Sequence, residues 1–151
     1  MARIVAVCIS ENKGVPKTDR GNGTLVREHG LATDAHAGDW HRQVSLLSTE
    51  SIDKMRQMGL DVGPGDFAEN LTVSGMVLHV LPVGTRLLIG GEEGAVLEIT
   101  QIGKECHTKC AIFHQVGECI MPSEGIFARV LVGGEVSEGD LVSAVRIDSS
   151  V

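Results

Sequence analysis

The sequence has few aromatic side chains: no Tyr, one Trp and three Phe among 151 residues. A core must therefore be built from Val, Ile, Leu and Met, which together with the other apolar residues make up 42% of the chain. A chain of this length is typical of one domain with one sizeable core. We therefore predict a single domain over residues 1–151.

The chain also lacks long apolar runs and an excess of positive charge. No run approaches the roughly eighteen residues that cross a bilayer, and the first residues turn polar too soon for a secretory signal. The formal net charge is −7, from 13 basic and 20 acidic residues. Nucleic acids and anionic membranes both require a basic face. We therefore expect a cytoplasmic protein that binds neither.

Short strand-like segments separated by turn signals make up most of the chain, which contains 19 glycines. β-branched or alternating apolar residues between Gly, Pro and Asp clusters are typical of strands. We predict strands at residues 4–9, 25–30, 44–47, 71–73, 77–81, 86–89, 96–102, 126–132 and 141–147. So many short strands indicate a mainly β fold, a closed or partly closed antiparallel β-barrel with one or two short helices.

One segment has helical character. Residues 48–51 read Ser-Thr-Glu-Ser, a hydroxyl cap followed by an acidic first turn. Ile52, Met55 and Met58 then recur at helical spacing, and Gly59 follows them. We predict a helix that carries these three side chains at helical spacing, with Ser48 or its neighbour as the cap. The polar segment at residues 33–42 has no clear period and is predicted to be a loop.

The cysteines are concentrated: Cys106, Cys110 and Cys119 lie within fourteen positions. Residues 103–110 read Gly-Lys-Glu-Cys-His-Thr-Lys-Cys, so two lysines and an imidazole flank two thiols. Cations favour the thiolate, which is both the nucleophile and the metal-binding form of cysteine. Because cytoplasmic thiols stay reduced, Cys106 and Cys110 are candidates for a catalytic or metal-binding sulfur. Cys8, inside an apolar strand, is predicted to be a buried packing residue.

Two other interpretations of this cluster remain open. Free cysteines are often buried as small hydrophobic residues. The second interpretation is a structural zinc site, since the segment offers enough ligands of the right type. The Cys-x3-Cys spacing, however, is not one of the commoner zinc-binding spacings. The potential zinc ligands are Cys106, His107, Cys110, His114 and Cys119.

Three polar segments carry groups that could bind a ligand. Lys13 follows the first strand beside glycine, where the backbone can approach an anion. The loop at 33–42 contains His36, His41 and Arg42, and a guanidinium is suited to phosphate. Asn70 lies where a strand begins, and its amide offers a donor and an acceptor. Each of these residues could instead be an ordinary surface or turn residue.

Taken in order, these segments resemble a MOSC domain, named after the C-terminal domain of molybdenum cofactor sulfurase. The resemblance is closest to small, stand-alone bacterial members and covers nearly the whole chain. It rests on the cysteine segment and on five motifs: Lys-Gly-Val-Pro at 13–16, Arg-Gln-Val-Ser-Leu-Leu-Ser at 42–48, Phe-x-Glu-Asn-Leu at 67–71, Val-Gly-x-Arg-Leu-x-Ile-Gly at 83–90 and Met-Pro-x-Glu-Gly-Ile-Phe at 121–127.

The resemblance implies a MOSC-type β-barrel that binds the molybdenum cofactor (molybdopterin) or handles its sulfur. A Cys thiolate ligates molybdenum in some relatives; Cys110 matches one form of their motif and Cys106 another. The resemblance also implies that Lys13, Arg42 and Asn70 hold the pterin phosphate. One of the histidines, His36 or His41, is expected near the metal. Two cations of the relatives are replaced here, by Ser10 and Ala68.

The predicted function is a cofactor carrier, sulfuration factor or insertion factor, with a molybdoenzyme or a cofactor-biosynthesis protein as partner. One alternative is a persulfide sulfurtransferase without bound metal, supplied by a cysteine desulfurase. Another is a structural zinc-binding interaction protein. The residues leave open whether the protein is an enzyme, and which of Cys106 and Cys110 is the functional thiol.

Overall fold

A computed structural model of the chain describes residues 2–13, 15–91, 93–103 and 124–145. These residues are mainly β, as predicted, with one α-helix, α1 (Thr49–Gln57), and a short 3-10 helix at Leu78–Val80. The strands are β1 (Arg3–Ile9), β2 (Thr18–Asp19), β3 (Asn22–Val26), β4 (Gly30–Leu31), β5 (Val44–Ser48), β6 (Leu71–Ser74), β7 (Arg86–Ile89), β8 (Ala95–Ile102), β9 (Ile126–Val132), β10 (Gly134–Ser137) and β11 (Val142–Val145).

The strands form two sheets. The larger has the order β11-β7-β8-β9-β5-β6-β1-β2, and the smaller has the order β10-β3-β4. All neighbours are antiparallel except β5 and β6, which are parallel. The sequence predicts a closed or partly closed antiparallel barrel; the mainly β class is confirmed, but within the described residues neither sheet closes into a barrel. The Ile4 amide nevertheless donates to the Asp140 carbonyl at 2.9 Å, which ties β1 to the turn before β11.

Two local expectations differ from the structure. The segment predicted as a strand at 77–81 contains the 3-10 helix, in which Leu78 is buried while Val80 is exposed. The segment predicted as one strand at 25–30 is divided, because β3 ends at Val26 and β4 begins at Gly30. Farther along the chain, Gly133 immediately precedes β10. A Cβ on Gly133 would lie 2.7 Å from the Leu25 carbonyl oxygen. Glycine is therefore required at position 133 by the close approach of β3.

The helix forms where the sequence predicts it, but its cap differs. Ser48 occupies the N-cap position and makes no side-chain capping hydrogen bond. Its hydroxyl instead donates to the Met76 carbonyl at 2.8 Å and accepts from the Leu78 amide at 3.1 Å. Ile52 and Met55 are buried, whereas Met58, which follows them at helical spacing, is exposed.

The core consists largely of aliphatic side chains from both sheets, as the shortage of aromatics requires. A smaller cluster packs α1 against the larger sheet and includes Phe67 and Phe127. Apolar burial of this kind stabilises the fold by about 25 cal/mol per Å². Among the described residues, no helix is long and apolar enough to cross a membrane.

The β8–β9 hairpin carries the cysteine segment. Ile102 pairs with Ile126, and the Gly103 amide donates to the Gly125 carbonyl at 2.7 Å. Residues 104–123 are attached at these two points and lie outside the described residues, together with Cys106, Cys110 and Cys119. Both attachment points of this segment therefore lie at the same end of the larger sheet.

Candidate functional site

The loop between β4 and β5 brings several of the predicted site residues together. It carries His36, His41 and Arg42 and the only Trp of the chain, Trp40. Lys13, from the segment after β1, approaches Trp40 with its Nζ 5.2 Å from the ring centroid. The loop and the more distant Lys13 therefore form a cationic and aromatic cluster.

Arg42 is fixed on two sides. Its Nε donates to Gln101 Oε1 at 3.2 Å, and its Cζ lies 5.3 Å from the Phe127 ring and 5.8 Å from the Trp40 ring. No described residue accepts a hydrogen bond from the terminal guanidinium nitrogens, and no described carboxylate forms an ion pair with them. The guanidinium is thus held in place with its outer donors available to an anion.

Gln101 joins this cluster to the cysteine segment. Its Oε1 also contacts His41 Nε2 at 2.8 Å, and its own amide donates to the Gly103 carbonyl at 2.7 Å. Because the amide oxygen only accepts, His41 donates from Nε2. Sequence reasoning missed Gln101. A register irregularity between Ile99 and Gln101 in β8 sets its direction, and such bulges are visible only in the paired sheet.

Thr100 fixes the backbone at the same point. Its hydroxyl donates to the His41 carbonyl and lies 3.2 Å from the Phe127 carbonyl. The consecutive polar residues Thr100-Gln101, at the end of an otherwise alternating strand, were the one sequence signal for this contact. The loop is therefore attached to β8 through both residues.

A buried ion pair anchors the other side of the loop. Lys17 Nζ lies 2.8 Å from Asp34 Oδ1, and both side chains are fully buried. The ammonium also donates to Ser10 Oγ at 2.9 Å and contacts His36 Nδ1 at 2.9 Å. Asp34 accepts further bonds from the Ser10 and His36 amides. With three partners, the Lys17 ammonium has no proton left for an external anion.

The charge state of Asp34 follows from these contacts. Burial alone would raise the pKa of its carboxyl, but the hydrogen bond and charge of Lys17 and the Ser10 amide outweigh burial and lower it. His36 Nδ1 must accept from the ammonium, which leaves the proton on Nε2. The His36 carbonyl in turn accepts from the Trp40 indole at 2.8 Å, so the ion pair also positions the indole.

Asn70 lies apart from the cluster surface and is fully buried. Its Oδ1 accepts from the Ser45 amide at 3.0 Å, and its Nδ2 donates to the Cys8 carbonyl at 3.0 Å. The side chain therefore connects β5 to β1. Its amide groups are directed into the protein rather than toward solvent.

Comparison with protein families decides the assignment. The family model of the MOSC domain matches residues 33–143, which is most of the chain. The chain belongs to the MOSC domain family. No curated protein matches its sequence significantly. At this coarse level, the protein is a domain like the C-terminal domain of molybdenum cofactor sulfurase, after which the family is named.

Solved structures share the fold of this MOSC domain. The YuaD protein from Bacillus subtilis has a TM-score of 0.79 at 19% identity, and the match covers 98% of each chain. YiiM from Geobacillus stearothermophilus has a TM-score of 0.73 at 18% identity, covering 99% of this chain and 78% of its own. YiiM from Escherichia coli has a TM-score of 0.63 at 21% identity, covering 99% and 72%. At such identities the likeness concerns the fold alone.

The described part of the MOSC domain fits one end of the implied cofactor. A pterin phosphate requires cations with free donors, and Arg42 and Lys13 offer them at an exposed loop. The metal end requires a soft ligand, and both candidate thiols lie outside the described residues. Within the described residues no cluster of three or more His, Cys, Asp or Glu side chains could hold a metal ion.

Proposed function

We propose that this MOSC domain binds the molybdenum cofactor at the loop cluster and acts as a carrier, sulfuration factor or insertion factor for it. The observation that carries the proposal is the guanidinium of Arg42. It is fixed by Gln101 and two rings, its outer donors are available, and it lies at the sheet end to which the cysteine segment is attached. A phosphate group and a thiolate-bound metal could therefore be held by neighbouring parts of the protein.

The attachment of the cysteine segment supports this arrangement. Gln101 contacts both Arg42 and the Gly103 carbonyl, and only two residues separate Gly103 from Cys106 in the sequence. An extended chain advances at most about 3.6 Å per residue. Connectivity alone therefore favours a thiol within reach of the loop. It favours Cys106 at least as much as Cys110, and each of the two matches one form of the family motif.

Each residue of the cluster has its own role in this proposal. Arg42 binds the phosphate through its two outer nitrogens, and Lys13 adds a flexible charge. His41, whose Nε2 is bonded to Gln101, positions the Arg42 backbone. His36 acts from within, through Asp34 and the loop it anchors, and Asn70 acts through the connection that it makes between β5 and β1. The cofactor itself, when bound, would supply a metal that prefers a soft thiolate ligand.

The proposal is tested by loading purified protein with the cofactor and measuring bound molybdenum and pterin separately. We expect Cys110→Ser or Cys106→Ser to lose molybdenum while retaining part of the pterin, and Arg42→Gln to lose both. Cys8→Ser is the matched control, since Cys8 is a buried thiol in β1. Molybdenum retention equal to wild type in both Cys106→Ser and Cys110→Ser would defeat the ligand role.

The client would be a molybdoenzyme or a cofactor-biosynthesis protein. Two alternatives depend on the same cysteines and stay predictions. Persulfide transfer predicts a mass gain of one sulfur on Cys106 or Cys110 after incubation with a cysteine desulfurase. Structural zinc predicts about one equivalent of zinc in freshly purified protein. Either result, obtained without molybdenum binding, would replace the proposal.

A further inference from the structure

Trp40 is the one exposed aromatic side chain among the described residues. Phe67 and Phe127 are buried, with 5% of their surface exposed, whereas Trp40 exposes 37%. The indole is nevertheless fixed, because its Nε1 donates to the His36 carbonyl at 2.8 Å. Its edge also packs against His41, with the ring centroids 6.0 Å apart. A fixed indole that exposes its ring has lost part of the free energy that burial would give it.

Two cations converge on this ring. Lys13 Nζ lies 5.2 Å and Arg42 Cζ 5.8 Å from the Trp40 centroid, so the two charges are no farther apart than these distances together. Like charges so close repel one another. Neither charge is neutralised by an ion pair with a described carboxylate, although the chain carries a net charge of −7.

The ring offers a physical reason for this arrangement. The electron-rich face of an indole attracts both cations, by about 0.5–1 kcal/mol each at an exposed site. This attraction offsets part of their repulsion and restricts two long side chains before any ligand arrives. Restricting them in advance lowers the ordering cost of binding. The positive charges of Lys13 and Arg42 are still not neutralised by a described carboxylate, and an anion with several oxygen atoms neutralises them best.

We infer that Trp40 organises Lys13 and Arg42 into a clamp for a phosphate group. The inference rests on the proposed function and adds a positioning residue to it. Arg42 supplies a planar fork for two phosphate oxygens, and Lys13 supplies a point charge. The third nearby cation, Lys17, is excluded because its ammonium is buried and bonded to Asp34, Ser10 and His36.

The chain offers a direct probe, since its whole tryptophan fluorescence comes from Trp40. Titration of the full-length protein with inorganic phosphate should change that fluorescence and saturate. Calorimetric titration then compares the variants. We expect Arg42→Gln and Trp40→Leu each to weaken phosphate binding about tenfold, while Trp40→Phe, which keeps a ring, stays within about threefold of wild type. Arg56→Gln, which removes an exposed cation on α1, is the charge control and should leave binding unchanged.

The salt dependence of phosphate affinity separates positioning from folding. If Trp40 holds the cations in place, Trp40→Leu and Arg42→Gln both reduce the slope of log affinity against log salt concentration, because fewer fixed charges face the anion. Wild-type affinity in Trp40→Leu would overturn the inference. So would a Trp40→Phe protein as weak as Trp40→Leu, because the ring would then have no organising role.

Two sources of phosphate are distinguished by a second titration. Guanosine 5′-monophosphate binding more tightly than inorganic phosphate, with no binding of guanosine, identifies a phosphate ester of a planar heterocycle as the ligand. Equal affinities identify the free anion, and absence of both overturns the clamp. If the protein does not bind molybdenum but keeps a Trp40-dependent phosphate site, the proposed function is wrong and this inference stands. Cofactor binding that is indifferent to Trp40 would defeat this inference alone.

Discussion

The Glu69 side chain is fully buried. Its Oε2 accepts from the Gly65 amide at 3.0 Å and from the Thr72 hydroxyl at 2.8 Å, whereas Oε1 has no hydrogen-bond partner in the described structure. Burial raises the pKa of this carboxyl, and its hydrogen bonds only partly oppose the effect. The neighbouring thiol of Cys8 is affected as well: burial and the charge of Glu69 raise its pKa to about 12. Cys8 is thus the buried, unreactive residue that the sequence predicted.

Glu69→Gln should change the pH dependence of stability. Because the folded-state pKa lies above the ordinary value of 4.5, ionisation of Glu69 costs stability as the pH rises through the folded pKa. Gln cannot ionise and keeps an acceptor for Gly65 and Thr72. The unfolding free energy of the variant, measured by urea titration, should therefore improve relative to wild type as the pH rises from about 4.

The matched control is Glu138→Gln, because Glu138 is exposed in the turn after β10. It should follow the wild-type pH profile. A constant difference between Glu69→Gln and wild type across the pH range would contradict the raised pKa, since only a group with shifted titration makes the difference vary.

At the scale of elements, a turn at residues 63–66 packs against the backbone of Lys17, whose ammonium is paired with Asp34. Gly65 has φ +87°, and a Cβ there would lie 2.2 Å from the Lys17 carbonyl oxygen and 3.2 Å from Cys8 Sγ. The Lys17 amide donates to the Gly65 carbonyl at 2.8 Å. The backbone of this turn and that of the Lys17 segment are therefore in direct contact, and only glycine permits it.

Gly65→Ala should destabilise the protein by at least about 3 kcal/mol, because it adds a steric clash to a strained backbone. Gly59 is the control, with φ +94° and no heavy atom within 4 Å of an added Cβ. Gly59→Ala should cost only the conformational strain, about 1 kcal/mol. The midpoints of denaturant unfolding measure both losses of stability, provided that the slopes of the transitions are equal. Equal losses in Gly65→Ala and Gly59→Ala would show that the contact between Gly65 and the Lys17 carbonyl is not rigid.

At the scale of the whole molecule, the Lys17–Asp34 pair joins the end of β1, the β2 segment and the loop that carries Trp40 and Arg42. Removing one partner of a buried pair leaves the other charge uncompensated, which costs about 3–5 kcal/mol. The pair therefore couples global stability to the geometry of the candidate site.

Asp34→Asn should lower the unfolding free energy by about 3 kcal/mol at pH 7. The folded-state pKa of Asp34 is below its ordinary value of 3.8, so its contribution is present above that value and is lost as the pH falls through the folded pKa. The gap between wild type and variant should thus narrow at acidic pH, as measured by thermal or urea unfolding from pH 7 to 2.

A gap that stays constant down to pH 2 would show that Asp34 stabilises the fold through its shape rather than its charge. Asp53→Asn serves as the comparison, since the Arg56–Asp53 pair is solvent-exposed on α1. Exposed pairs contribute about 0–1 kcal/mol, and this variant should remain close to wild type.

The sequence by itself determined the mainly β class, most strand positions in the described residues and the helix α1. It also predicted the loop at 33–42 and the family to which the chain belongs. Each of these depends on local patterns: apolar alternation, turn residues and ordered motifs. The thiols Cys106 and Cys110 were likewise selected by local composition, and their role stays a prediction because they lie outside the described residues.

Only the tertiary structure decided which polar residues face outward. Lys17 and Lys13 look alike in sequence, yet one is buried with Asp34 and the other lies against Trp40. Ser48 was expected to cap a helix and instead bonds Met76 and Leu78. The reason is that a polar side chain takes whichever partners the packed fold brings within about 3 Å, and those partners are distant in the sequence.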